Sequence, residues 1–538
     1  MSLSGALPLS CAPTARRVDW ANVVAWVLSC VIFAGLSGVL AFQSDSDLEA
    51  DATTHFLFAR FSLREHHYLV SVWGRPLCTL AYALTARIGT VEQGRQYARL
   101  TSLGLALIAA VVTYLIAKRQ GFRRPILAFI FLLAQPIFFL HSFSELTEIP
   151  FAVILMLAFL AYQRRQWFAM ALLTGILPLG RPEGFGFIMM AAVALLAHRR
   201  ARWWIVLPLP FLAWSFAGYY ITSSASSNEL HGWQWILNRE WFSWVFRHWP
   251  YSYRSTYGSG SIVSFLGRLP VLVSPLIFPF VLVGIGVGLR GVSGERARSF
   301  RVPQDDNRRH VLQRYLAKTH EQRCEIWIVL IPLSILIVHS LIWWKGLMGS
   351  NGELRYLVIV GPFFAMIAAR GWEWAWPHFE WKAPLFWAGV VSLLPMTVNL
   401  FYRVLPFPLY EDGLVARDVA RWYTGDEKLR RNYPKIMPTP PGIAFFMDLS
   451  QSDSAHAIAA SKMSIGQAPP GVLLVWDAIY GQHNSSADMC VPLDLIEKAG
   501  WVHLRRFGRG DRYCEVFLSP ANVRGEKTTV ENTFNSGE

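Results

Sequence analysis

The sequence predicts an α-helical polytopic membrane protein of about eleven transmembrane helices carrying a C-terminal soluble α/β domain, and three observations lead there. Of the 538 residues, 53% are hydrophobic and only 16% charged, with a mean hydropathy of +0.31, which is outside the usual composition of cytosolic domains. Apolar runs of spanning length alternate with short blocks of Lys and Arg. After about residue 403 the long runs stop and short strand and helix patterns replace them. The net charge of +14 sits in those short blocks rather than on one basic face, which argues against nucleic acid as a partner.

In chain order, Arg16 and Arg17 precede the apolar run 20–42, long enough to span. A signal peptide cleaved near SGVLAFQS is the alternative at that end. Further runs lie near 97–117, 125–142, 149–163, 167–180, 185–197, 203–222, 262–289, 325–344, 355–370 and 384–402, several of them short for a full span. With a cytoplasmic N-terminus, the cations at 16–17, 118–124, 164–165, 199–202, 290–323 and 370–382 all fall on the inner side. An odd number of spans then sends the chain after about residue 403 outward. The expected organisation is a membrane domain, 1–402, with a large first outer loop, 43–96; an extracytoplasmic α/β domain, 403–520; and a polar, disordered tail, 521–538. Its expected location is integral and multi-pass, in the bacterial inner membrane.

Within 43–96 the pattern reads as interfacial amphipathic helices broken at Gly74-Arg75-Pro76. The 223–261 loop is rich in Trp and Tyr, including Trp233, Trp235, Trp241, Trp244, Trp249, Tyr251, Tyr253 and Tyr257, as for an aromatic belt or for stacking on sugar or lipid. In the C-terminal part GIAFFMDL, GVLLVWDAIY and RYCEVFLSP read as strands, and LVARDVARWYT and PLDLIEKAG as helices. Asp477 ends one strand with no glycine-rich phosphate loop beside it. Cys490 and Cys514 are the pair placed for a disulfide, with two free thiols the alternative, and Asn484-Ser485-Ser486 fits a glycosylation sequon.

Acids collect in the outer loops. QSDSDLEADATTHFLFARFS, 43–62, sets Asp45, Asp47, Glu49 and Asp51 directly after a membrane-length run, where carboxylates cost free energy unless hydrated, paired or used. HSFSELTEIP adds Glu145 and Glu148, GRPEGF adds Arg181 and Glu183, and KGLMGSNGELRY adds Lys345, Glu353 and Arg355. Acids and arginines on one side of a membrane fit transfer chemistry on a lipid-linked phosphate, in which a carboxylate takes a proton and cations hold the anionic leaving group. In that reading Asp51, and after it Asp47, is the base; Arg181, Arg355 and Lys345 bind phosphate; Glu145, Glu148, Glu183 and Glu353 orient the arginines or bind sugar hydroxyls. Each has a plainer alternative. Asp45 and Glu49 suit solvated loop charges, Glu145 and Glu148 a helix start, Arg181 and Glu183 an ion pair at a turn, and His55, His66 and His67 interfacial hydrogen bonding.

Short motifs at four places carry a resemblance. They are DATTH (Asp51 to His55) with WGRPL (Trp73 to Leu77), SELTEIP (Ser144 to Pro150), RPEG (Arg181 to Gly184) and NGELRY (Asn351 to Tyr356). In this order and sidedness, across roughly residues 20–400, the sequence resembles the polytopic GT-C glycosyltransferases that use polyprenyl- or dolichyl-phosphate sugars. The resemblance implies an inverting sugar transfer with a first-loop Asp as base, carried to Asp51 and then Asp47, and puts His55 and Tyr356 among the substrate-binding residues. Two departures stand out. Ala52 follows Asp51 where many such enzymes show an adjacent Asp-Glu pair, and Gly-Glu-Leu-Arg-Tyr stands where eukaryotic mannosyltransferases look like His-Lys-Glu-x-Arg-Phe. The chain is thus most similar to bacterial mannosyltransferase-like members, with mannose the candidate sugar.

The partners expected are a polyprenyl-phosphate-linked sugar donor, a glycan, lipid or protein acceptor, and membrane lipids. No cofactor is expected; Asp45-Ser46-Asp47 has a DxD look, so a divalent metal is left open, with metal independence favoured because Arg is abundant. Two rivals come from other classes. A lipid or solute transporter should carry charges at mid-span and repeated halves, and a non-catalytic assembly or sensor protein would use the C-terminal domain to bind its ligand.

Overall fold

A computed structural model describes residues 20–224, 240–250, 253–255, 257–293, 318–376, 382–479, 481–482 and 489–520. Arg16, Arg17, Trp233, Trp235, Tyr251, the sequon at 484–486, most of the basic stretch 290–323 and the tail 521–538 lie outside those residues.

The first half is helical throughout: α1 (Trp20–Gln43), α2 (Ala50–Phe61), α3 (His67–Val70), α4 (Pro76–Ala86), α5 (Val91–Arg119), α6 (Ile126–Leu133), α7 (Pro136–His141), α8 (Glu148–Gln163), α9 (Trp167–Ile176) and α10 (Gly184–Ala197). Later helices include Leu209–Ser224, Ser264–Val273, Phe278–Ser293, His320–Lys345 and Gly361–Ala375. Among the described residues five helices are long and apolar enough to cross a membrane: Trp20–Gln43, Val91–Arg119, Ala201–Thr222, His320–Lys345 and Leu354–Ala375. On α1, Trp20, Val23, Val24, Val27, Val31, Val39 and Phe42 point outward and exposed, as lipid-facing side chains do. The molecule is a multi-pass helical membrane protein with a small C-terminal sheet domain.

Against about eleven expected spans, these five are the single helices of full spanning length among the described residues. Two further spans exist only if bent pairs are counted, Ser264–Val273 with Phe278–Leu289, bent by 113°, and Ala383–Val391 with Leu394–Phe401, bent by 54°. The run 125–142 divides into α6 and α7 because Pro136 has no N–H to give and forces Gln135 into an extended conformation. The runs at 149–163, 167–180 and 185–197 become helices too short for a full span. Between α1 and α5, the break expected at Gly74-Arg75-Pro76 separates α3 from α4. There Arg75 takes the left-handed φ of 63°, strained for a residue with a Cβ, and a Cβ on Gly74 would meet the Phe58 ring.

The C-terminal strands β1 (Lys435–Pro438), β2 (Val472–Asp477), β3 (Val502–Arg509) and β4 (Arg512–Leu518) form a sheet in the order β1-β2-β4-β3. β1 pairs parallel to β2, and β4 runs antiparallel to both its neighbours. GIAFFMDL is corrected: it is not a strand but the helix Pro441–Phe446, because Pro441 at the first helical position starts a turn, while β1 lies just before it. The possible Cys490–Cys514 disulfide is absent, both thiols being free; Cys490 donates to the Gln482 carbonyl and Cys514 to Asp477.

The sheet domain sits on α2. Phe445 meets Phe56 edge-on at 5.8 Å, and Arg60 grips Asp448 through two hydrogen bonds of 2.6 Å. Ser450 donates to Glu65 and bonds Tyr68, and His67 bonds Ser452 at 2.8 Å. One mixed apolar cluster joins Phe56, Leu57 and Tyr82 to Ala444 and Phe445, so the helix carrying the first acidic motif is braced from behind by the C-terminal domain.

Candidate active site

Four helix starts set the site. The first turn of α2 carries Asp51, and His55 follows one turn later on the same face. α8 begins at Glu148, an acid at the positive end of a helix. The RPEG turn delivers Arg181 and Glu183 to the start of α10, and glycine is required at 184 because a Cβ would lie 2.3 Å from the Pro178 backbone. The turn Asn351–Glu353 leads into the helical run Leu354–Val360 with Arg355 and Tyr356 on it.

These residues close on one cavity of about 370 Å³. Three carboxylates, Asp51, Glu148 and Glu183, and three guanidinium groups, Arg75, Arg181 and Arg355, line it. Arg355 Nη2 donates to Asp51 Oδ2 at 2.8 Å, and its Nε pairs with Glu353. Arg181, 5% exposed, donates to Thr147 at 2.9 Å and to Glu148, and holds Glu183 at 3.0 Å. Both guanidinium groups lie over the Tyr356 ring, which hydrogen-bonds Asn351 at 2.7 Å and stacks on His339 at 5.1 Å. His339 in turn faces Glu183 at 3.3 Å. Opposite them His55 stacks on Trp73 at 4.7 Å, its Nδ1 buried without a hydrogen bond. Met190, Ile335, Val338 and Ile342 make the deeper wall apolar.

The electrostatics differ from group to group. Burial pushes the Asp51 carboxyl up, but Arg355 and His55 more than offset this, so it lies below its ordinary range and is ionised at neutral pH. At His55 burial wins over the attraction of Asp51 and brings the imidazole down to about 4, so the ring is neutral. Asp51 is 44% exposed, open enough for a second reactant to reach it.

The structure does not bring Asp47, Glu145 or Lys345 to this cavity. Asp47 accepts from Arg99 at 2.7 Å and from Thr53, with Arg95 at 4.0 Å. Arg99, only 1% exposed, also donates to the carbonyls of Ala41, Ser44 and Ser46, and its Nε lies 3.4 Å from the fully buried Glu145. This network ties the end of α1 to α5. Burial, then Asp47, pushes the Glu145 carboxyl up to about 8. Lys345 lies over the Trp344 ring, and Glu353 stands behind Arg355. Glu49 pairs with Arg403 at 2.8 Å.

The donor set does not suit a cation at Asp45-Ser46-Asp47. Asp45 is exposed while Asp47 is committed to Arg99 and Thr53, so the two carboxylates do not converge. Among the described residues no group of three His, Cys, Asp or Glu side chains is arranged to hold a metal ion.

Sequence reasoning missed Arg75, Thr147, Asn351 and His339 as cavity residues. A signal existed for His339, an ionisable residue inside a membrane-length apolar helix. Arg75 stands in the WGRPL motif, and the strained turn before Pro76 aims it into the cavity. Of the aromatic loop, Trp249 and Tyr257 line the cavity, Trp244 is buried against Gly218, and Tyr253 is exposed.

No family model matches the chain, and no curated protein matches it. Two solved structures are similar over 94% of this chain and 100% of their own: ArnT from Cupriavidus metallidurans bound to undecaprenyl phosphate (14% identity, TM-score 0.47) and ArnT from the same organism in the apo state (13% identity, TM-score 0.45). With a TM-score below 0.5, the functional reading rests on the geometry of the cavity.

Proposed function

We propose that this chain is a GT-C-type membrane glycosyltransferase, transferring a sugar from a polyprenyl-phosphate donor to an acceptor hydroxyl with inversion. The observation that carries the reading is the single cavity in which Asp51 lies against Arg355, with Arg75 and Arg181 beside it, above an apolar wall. A polar head with fixed guanidinium groups over an apolar floor suits a phosphate joined to a long hydrocarbon. A smaller apolar pocket between α8, α9, α10 and the helix His320–Lys345 shares Met190 with the cavity and extends the path available to the chain.

In the proposed step the acceptor oxygen attacks the anomeric carbon as the bond from that carbon to the phosphate oxygen breaks. The acceptor proton passes to Asp51, and the electron pair leaves with the polyprenyl phosphate, held by Arg355, Arg181 and Arg75. Glu148 and Glu183 hold Arg181 in place, and Glu353 does the same for Arg355. His55, neutral and stacked on Trp73, offers a hydrogen-bonding edge to a sugar, and Tyr356 braces both guanidinium groups. Asp47 and Glu145 serve the scaffold. The reaction is metal independent in this reading, since guanidinium groups supply the charge stabilisation.

In this reading the cavity opens outside the cytoplasm with residues 403–520 on the same side, which the distribution of cations in the loops supports. Mannose is the candidate sugar from the motif resemblance, and a glycan, lipid or protein supplies the hydroxyl. The test is incubation of the purified protein with a panel of polyprenyl-phosphate sugars in the presence and absence of a chelator. Consumption of one donor with release of polyprenyl phosphate, unaffected by the chelator, supports the reading; no donor consumed with any acceptor class refutes it.

A further inference from the structure

The helices that form the active-site cavity form a second one at their other ends. α8 begins at Glu148 and ends at Gln163, α10 follows Glu183 and ends at Ala197, and the helix that carries His339 begins at His320. A 16-residue helix is roughly 24 Å long, so the two cavities stand nearly a membrane core apart. The second, of about 570 Å³, is lined by Arg165, Arg200, Lys318 and Arg323 with His198 and His320, and by Trp167. Among the described residues no carboxylate lines it.

The cavity is built, not merely a solvated basic surface. Arg323 and His320 are 7% and 8% exposed. Arg323 Nη1 donates to the Ala197 carbonyl at 3.0 Å and faces the His198 ring at 3.3 Å. His320 Nε2 contacts the Gln163 carbonyl at 3.1 Å, its Nδ1 lies 3.4 Å from His198, and the His198 ring lies 4.8 Å from that of Trp167. The carboxylate of Glu321 reaches Arg165 only at 3.9 Å, in solvent. His198 registers the resulting field: burial, then Arg323, His320, Arg165 and Arg200, bring its imidazole down to about 4. Guanidinium, ammonium and imidazole groups converge on this one space beside the start of a long helix, a donor set that suits an anion with several acceptor oxygens.

We propose that this second cavity is a phosphate-binding site, filled by the headgroup phosphate of an anionic phospholipid or by a free phosphate anion. It stands apart from the transfer site and does not depend on the reading of that site.

The test uses the full chain in detergent, with phosphatidylglycerol, phosphatidylcholine and inorganic phosphate as probes. Native mass spectrometry measures lipid retention, and thermal unfolding measures the effect of phosphate. The Arg165→Gln/Arg200→Gln double variant removes two exposed cations from the lining; Lys118→Gln/Arg119→Gln removes two exposed cations that do not line it. Retention of phosphatidylglycerol over phosphatidylcholine by the wild type, falling about tenfold in the first variant and unchanged in the second, supports a lipid headgroup. A rise in Tm with inorganic phosphate that the first variant alone loses, without lipid preference, supports a free phosphate. Equal behaviour of the first variant and wild type toward all three probes overturns the proposal, as does an equal loss in both variants.

Discussion

Asp51→Asn removes the proposed base and almost nothing else. The amide keeps an oxygen that can accept from Arg355 at the same 2.8 Å, while Arg355 retains Glu353. With Asp51 44% exposed, the lost ionic part of the contact costs at most about 1 kcal/mol, less than about 2 °C in Tm for a chain of this size. A general base contributes roughly a hundred- to ten-thousandfold to rate, so kcat should fall by that factor. Donor binding should hold or tighten, because Arg355 loses a competitor for the phosphate. The assay is single-turnover consumption of the accepted polyprenyl-phosphate sugar, with donor affinity and Tm measured on the same preparation. A kcat within about threefold of wild type at unchanged Tm would refute the assignment of the base. Asp47→Asn supplies the contrast: breaking the buried pair with Arg99 should cost about 3–5 kcal/mol of stability while leaving the rate of the folded fraction near wild type. If that fraction is as slow as Asp51→Asn, the base is Asp47.

Arg181→Lys keeps the charge but loses the fork that holds Thr147, Glu148 and Glu183, so donor KM should rise about ten- to hundredfold with a smaller change in kcat; an unchanged KM removes Arg181 from phosphate binding. Burial, then Glu353, pushes the Glu49 carboxyl from 4.5 up to about 7 despite Arg403. The folded state therefore holds that proton more tightly than the unfolded chain, and its stabilising share is complete below about pH 4.5 and is lost as pH rises through about 7. Glu49→Gln should flatten the fall of Tm between pH 5 and 8 measured by thermal unfolding, and an unchanged slope would count against this. Asp448→Asn, outside the cavity, should loosen the C-terminal domain from α2, lowering kcat severalfold and exposing the 447–453 segment to protease; full activity with unchanged cleavage would show that this brace is dispensable.

Asp51 and His55 were legible together because a helix sets residues four apart on one face, and Arg181 with Glu183 because a Pro-Gly turn compresses them. Glu145 and Glu148 both stand as candidates in the sequence, yet one faces Arg99 and the other Arg181. The loop that carries them gives way to α8 just before Glu148, and a change of backbone direction over three residues is invisible to periodicity. The surroundings of Asp47 are equally illegible in the sequence: its pairing depends on α5, more than 40 residues away along the chain.

What the sequence determined by itself is whatever local chemistry dictates: which stretches are apolar enough for lipid, which turns need Gly or Pro, and which short motifs hold charge. The helix lengths came out shorter than the apolar runs because prolines such as Pro136 end a helix without ending its hydrophobicity. Only the tertiary structure decided which carboxylates share a cavity with which arginines. A buried charge takes whatever partner the fold delivers within about 3 Å, and that distance is set by the packing of helices far apart in the chain.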